Sequence, residues 1–245
     1  MGATRCSGKG GRYAALVTRP DLSKDHSPHV TNERFNTASH LVSAVFALMG
    51  GAWLIVQSSI AGSVWHIVAH SIYGATLVSL FIASTLHHGI NGSPALERRL
   101  RTLDYLGIYL LIAGTMTPIC MALLRTPTAW VIFGVAWGVG AAGIALRAAR
   151  PDLPKWVSST LYGALGALGV VLAWPVYLET GVFGTGLLAG GGAAYILGSL
   201  IFTIERPNPV PGWFGFHEIW HLFVIAGATA HFAFMAFFVL PAPPL

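Results

Sequence analysis

The chain has 245 residues, 54% hydrophobic and only 9% charged, with a formal net charge of +5. Soluble globular domains carry about 25% charged residues, so that class is excluded. The basic residues lie in short loops between apolar runs rather than in one patch or stripe, which argues against nucleic-acid binding.

Residues 1–32 are polar and rich in Gly, Arg, Lys, Pro and His. No secretory leader is expected there, because the stretch lacks an apolar core of the required kind. It reads as a flexible cytoplasmic tail, with residues 33–245 forming one membrane domain. Apolar runs follow at about 38–58, 65–88, 104–124, 128–149, 156–174, 183–204 and 217–240. Each is long enough to cross a hydrocarbon core of roughly 30 Å. The expected fold is all-α: a polytopic membrane protein built as a seven-transmembrane helix bundle.

Glu33, Asn36, Ser39 and His40 cluster where the first run begins. Such residues cap and anchor helix starts or serve a site, and spacing leaves both readings open. The second run opens with His66 and His70 and closes with Ser84, His87 and His88. Asp104 opens the third run, which also carries Cys120 and Pro118. A disulfide to Cys6 in the tail is not expected, and Pro118 should kink its helix. Gly134 and Gly138, and Gly186 and Gly190, form small-xxx-small pairs suited to close helix approach in lipid. Pro207, Pro209 and Pro211 stiffen the loop into the last run, which starts His217-Glu218-Ile219-Trp220-His221 and carries His231 further along.

Arg5, Lys9, Arg12, Arg19, Lys24, Arg34, Arg98, Arg99, Arg101, Arg147, Arg150, Lys155 and Arg206 all fall on alternate loops, and only Arg125 lies on the other side. The positive-inside rule then places the N-terminus and those loops in the cytoplasm. It also assigns depths. His88, Asp104, His217 and His221 all lie at the cytoplasmic end, together with Ser84 one helical turn before His88. His217 and His221 share a helix face. Three neutral imidazoles suit Zn2+ with one coordination position left for water. Asp104 would take or orient that water's proton, and Ser84 would hydrogen-bond the water or a developing oxyanion. Plainer readings exist for each: wet interfacial histidines, an acid favouring a helix start, a serine packing between helices.

Two rival readings are weaker. The H-E-x-x-H pattern suggests a zinc protease with Glu218 as general base. However, no Asp or Glu follows His221, and Gly227 stands where a third histidine would fall. An outer set of His66, His70 and His231 has only Glu179 as a supporting carboxylate.

Four segments in order, Glu33-x-x-Asn36-x-x-Ser39-His40, Ser84-x-x-x-His88, Leu103-Asp104-Tyr105 with Gly107, and His217-x-x-x-His221, resemble the hemolysin III family over residues 33–240. That family is the prokaryotic branch of the progestin and adipoQ receptor group, related to alkaline ceramidases. The resemblance implies Zn2+ held by His88, His217 and His221 near the cytoplasmic face, with Asp104 holding the water and Ser84 beside it. It implies a lipid amidase-like site in a bacterial inner membrane and a part in membrane lipid homeostasis. The expected function is a zinc-dependent hydrolase of a lipid amide or ester, with membrane lipid as its partner. The alternatives are a sensor of membrane state with structural zinc and a pore-forming cytolysin, the latter at odds with a fixed membrane topology. Sequence leaves the oligomeric state open.

Overall fold

The structure, a computed structural model, describes residues 23–24 and 27–243. Most of the tail expected over 1–32, including Cys6, lies outside the described residues. The described part is helical: α1 Glu33–Ile60, α2 Val64–Gly89, α3 Pro94–Pro118, α4 Pro127–Ala149, α5 Lys155–Val171, α6 Ala173–Ile204 and α7 Phe216–Phe234. Several starts are set by side chains that accept an otherwise unpaired first-turn amide. Asn32 accepts from Phe35 N, Ser63 from His66 N, Ser93 from Leu96 N and Thr126 from Ala129 N. Pro94 and Pro127 follow two of these caps, where a missing N–H costs nothing.

Six helices are long and apolar enough to cross a membrane: all but α5, counting the extensions of α3 and α7. The chain is therefore a multi-pass membrane protein. α5 has 17 residues. Beyond it the chain turns at Leu172 and re-enters a helix that breaks at Gly181, whose φ of 65° only glycine adopts readily. The apolar run expected at 183–204 is the straight part of α6 beyond that break.

α3 is the central helix. Its most apolar stretch is 72% buried, against 17% for α6. Pro118 does not simply kink it. The helix widens into a π-helical turn over Ile119–Leu124, which absorbs the hydrogen bond that proline cannot donate. α7 ends the same way over Met235–Val239.

Close helix approach falls elsewhere than at the glycine pairs expected from sequence. A Cβ on Gly134, Gly138, Gly186 or Gly190 would meet nothing within 4 Å. Gly51 of α1 and Gly74 of α2 face each other instead, and a Cβ on Gly74 would lie 3.2 Å from Gly51 Cα. Spacing identifies small residues but not the helix face that finds a partner. The buried stripe of α1 (Asn36, His40, Ala44, Ala47, Gly51, Leu54, Ser58) shows that face, polar at one end and small in the middle. Cys120 is a buried free thiol.

Candidate metal centre

Four helices bring polar side chains to one end of the bundle. α1 supplies Glu33, Asn36 and His40, α2 supplies Ser84, His87 and His88, α3 supplies Asp104, and α7 supplies His217, Glu218 and His221. His88, His217 and His221 are all buried, and each offers a ring nitrogen within 4.8 Å of the others. His217 Nε2 lies 3.4 Å from His88 Nε2 and 3.1 Å from His221 Nε2. The i, i+4 spacing of His217 and His221 stacks them on one face of α7. The third nitrogen arrives from the end of α2.

This donor set fits a metal ion. The Nε2 atom of His217 presents either one hydrogen or one lone pair, so it cannot satisfy both neighbouring nitrogens at once. A cation that accepts from all three removes the conflict, and three imidazoles suit zinc. The tautomer of His88 is fixed in the required sense. Its Nδ1–H donates to Glu33 Oε2 at 2.6 Å, which leaves Nε2 as a bare lone pair aimed at the other two rings. A carboxylate behind a ligating histidine raises its basicity and locks its orientation. Glu33 is itself held by Thr31 Oγ1, which donates to its other oxygen.

Asp104 offers a carboxylate oxygen within 4.8 Å of ring nitrogens of His87 and His88. Asp104, Ser84, His40, His217 and His221 line one cavity of about 30 Å³, walled on its apolar side by Phe202. That is room for a water molecule, which needs roughly 10–15 Å³ and two to four polar partners. The structure thus brings Ser84, Asp104, His217 and His221 around one small cavity, with His88 joining the set through its ring nitrogen beside His217. Ser84 is not a lone packing serine, since His40 Nδ1 lies 2.7 Å from its hydroxyl. The His40 ring stacks on His221, with centroids 3.8 Å apart and planes at 21°. The His221 ring is thereby packed against a second imidazole.

Glu218 does something other than base catalysis. It is 1% exposed, and both of its carboxylate oxygens accept hydrogen bonds. One oxygen accepts Gly215 N at 2.8 Å. The other accepts Asn32 N at 2.6 Å and Asn36 Nδ2 at 3.3 Å. It caps α7 and ties that helix to the start of α1, which removes the group a zincin-like mechanism would need.

The outer histidines form no comparable set. His66 Nε2 faces Val239 O at 3.0 Å, and His231 Nε2 faces Leu188 O at 3.0 Å. His70 Nδ1 is held by Ser58 Oγ at 2.8 Å. Their nitrogens are directed to separate partners.

The supporting roles of Glu33, His40 and Glu218 were not resolved by spacing along the chain. The signal in the sequence is the i, i+3, i+7 placement of Glu33, Asn36 and His40 on one face of α1, which says that they share a face but not what they meet; Glu218 on α7 has no such signal.

Comparison with known proteins gives a consistent picture. A family profile described as Haemolysin-III related matches residues 28–232. Hemolysin-3 of Bacillus cereus is 34% identical over 212 residues, covering 86% of this chain and 94% of the relative. The Hemolysin-3 homolog of Bacillus subtilis (strain 168) is 28% identical over 214 residues, covering 87% and 97%. The human monocyte to macrophage differentiation factor is 27% identical over 214 residues, covering 84% of each chain.

Proposed function

Because the chain belongs to the haemolysin-III-related family, with relatives in the progestin and adipoQ receptor group, we propose that it is a zinc-dependent membrane hydrolase. It would cleave a lipid amide or ester and adjust membrane lipid composition. The observation that carries this reading is the meeting of three imidazole nitrogens, two of which, on His217 and His221, border a water-sized cavity together with Asp104 and Ser84. The proposed setting is a bacterial inner membrane crossed seven times, α5 included, with the N-terminus in the cytoplasm. The support is the confinement of basic residues to alternate loops.

His88, His217 and His221 would hold the ion. Bound there, zinc supplies Lewis-acid chemistry, polarising a carbonyl and making water nucleophilic near neutral pH. Glu33 keeps the His88 tautomer correct throughout. Asp104 borders the cavity from α3, takes the proton of an attacking water, and later returns it to the leaving amine or alkoxide as general acid. If His40 Nδ1–H donates to Ser84, the serine hydroxyl hydrogen is left free to point into the cavity, where it stabilises negative charge on the carbonyl oxygen. Phe202 and the neighbouring apolar wall exclude bulk water and strengthen each of these interactions.

The test is the zinc content and lipid turnover of purified protein, wild type against Asp104→Ala. Zinc in both proteins with turnover only in the wild type supports the reading. Zinc in both with no lipid class altered by either defeats it. One observation favours a second role, in which structural zinc serves a sensor of membrane state. A cavity of about 30 Å³ admits water but not a lipid carbonyl with its substituents. In that case chelation lowers thermal stability and no substrate is found.

A further inference from the structure

A second cavity of about 400 Å³ opens beside the metal centre at the same end of the bundle, and Tyr105 lines both. Its walls are Arg101 of α3, Arg147 of α4, the 151–154 turn, and Lys155 and Trp156 of α5, with Glu205 at the end of α6. This volume lies within the range of small-ligand sites, roughly 300–1,000 Å³.

Two of its cations are unusually buried for arginine. Arg101 is 6% exposed and Arg147 is 2% exposed. Arg101 Nη2 donates to Asp152 Oδ1 at 3.1 Å, but that carboxylate is 70% exposed on the turn. Lys155 Nζ donates to Glu205 Oε1 at 2.7 Å. Arg147 has no such carboxylate. Its Nη1 donates to Leu153 O at 3.0 Å, and its guanidinium lies 3.9 Å above the Tyr105 ring. The Nε groups of Arg101 and Arg147 are buried without a hydrogen-bond partner. The cavity is therefore lined by three cations against two carboxylates. A buried charge without a counter-charge is costly, and two guanidinium forks suit an anion with several oxygens.

The start of α5 adds a further anion-favouring element. This 17-residue helix has no side-chain cap; Val157 N donates to Pro154 O, and the start of the helix at Lys155 and Trp156 presents the positive end of its dipole to the cavity. Trp156, in that first turn, is 62% exposed. Exposed tryptophan beside a polar rim marks headgroup depth on a membrane protein, which favours a lipid over a soluble ligand.

We propose that this cavity binds the phosphate of an anionic lipid headgroup through Arg101, Arg147, Lys155 and the α5 amides. The inference is independent of the hydrolase reading, since binding requires neither zinc nor turnover.

The test uses the full chain in detergent, with native mass spectrometry reading bound dioleoyl phosphatidylglycerol against dioleoyl phosphatidylcholine. Thermal shift with inorganic phosphate forms the third arm. Phosphatidylglycerol should bind about tenfold more tightly than phosphatidylcholine, as expected when one charge-assisted contact is gained. Arg147→Gln and Lys155→Gln should each remove most of that preference, while Arg98→Gln on the exposed face of α3 should keep it. Lys155→Gln leaves the buried guanidinium stack intact, so it decides the matter if Arg147→Gln does not fold. Equal binding of the two lipids, or an equal loss in Arg98→Gln, overturns the proposal. Inorganic phosphate that displaces phosphatidylglycerol at equal affinity overturns the lipid assignment in favour of a soluble phosphate.

Discussion

The Glu33–His88 contact makes a prediction with a definite size. Glu33→Gln keeps the shape of the side chain and removes its charge. The 2.6 Å bond from His88 Nδ1 then becomes at best a neutral one. Hydrogen bonds to charged groups contribute about 1.5–3 kcal/mol and neutral ones about 0.5–1.5 kcal/mol, a difference of about 1–1.5 kcal/mol. That difference is carried by the basicity of the His88 lone pair, so zinc affinity should fall roughly tenfold, the low end for groups behind metal ligands. Competition against a chelator of known affinity, on purified protein in detergent, measures it directly. Glu218→Gln is the matched control. Its carboxylate caps Gly215 N and Asn32 N and touches no ligand ring, so it should cost stability, about 1–3 kcal/mol, and leave the zinc affinity of folded protein unchanged. Glu33→Gln affinity within twofold of wild type, or a larger zinc loss in Glu218→Gln, would refute the assignment of the two carboxylates.

Asp104→Asn should keep zinc stoichiometry and lower lipid turnover by about 10²–10⁴-fold, the range for a lost general base; metal analysis and lipid mass spectrometry on one preparation check both. His40→Ala should lower zinc affinity less than His217→Ala does, since it removes a stacked support and not a ligand, and the same chelator competition ranks the two. Gly74→Ala should destabilise the bundle by about 1–3 kcal/mol through overpacking, because its Cβ would crowd Gly51. Gly138→Ala should be nearly neutral in the same thermal-unfolding assay. Removing zinc with a chelator should lower the melting temperature of the wild type and have a smaller effect on His88→Ala, which has one ligand fewer to lose.

The helices and the gathering of His88, Asp104, His217 and His221 at one end were legible because both follow from one-dimensional quantities. Apolar run length gives the helices, and the alternation of basic loops gives each residue an end. Rotation about the helix axis is not one-dimensional, and the rest of the structure turns on it. Glu33 reads as a helix-start acid until α1 is seen beside α2. Glu218 is already an unpromising protease base in the sequence, but its bonds to Asn32 and Gly215 appear only in the structure. Gly134 and Gly138 read as a packing motif, yet their face of α4 meets nothing close. Arg101 and Arg147 were counted as loop charges that set topology, and their burial against Tyr105 and the 151–154 turn had no sequence signal beyond their position at helix ends.

The three rings come from distant parts of the chain: 129 residues separate His88 from His217. Chains are made from the N-terminus, so α1 and α2 emerge with Glu33 and His88 long before α7 exists. A ribosome product that stops short of α7 carries only one of the three candidate ligands, His88, whereas the finished chain carries all three. An ion held by all three would therefore distinguish complete from incomplete insertion. Such an ion would join the end of the second helix to the start of the last, and would stabilise only molecules in which the final helix has reached its place.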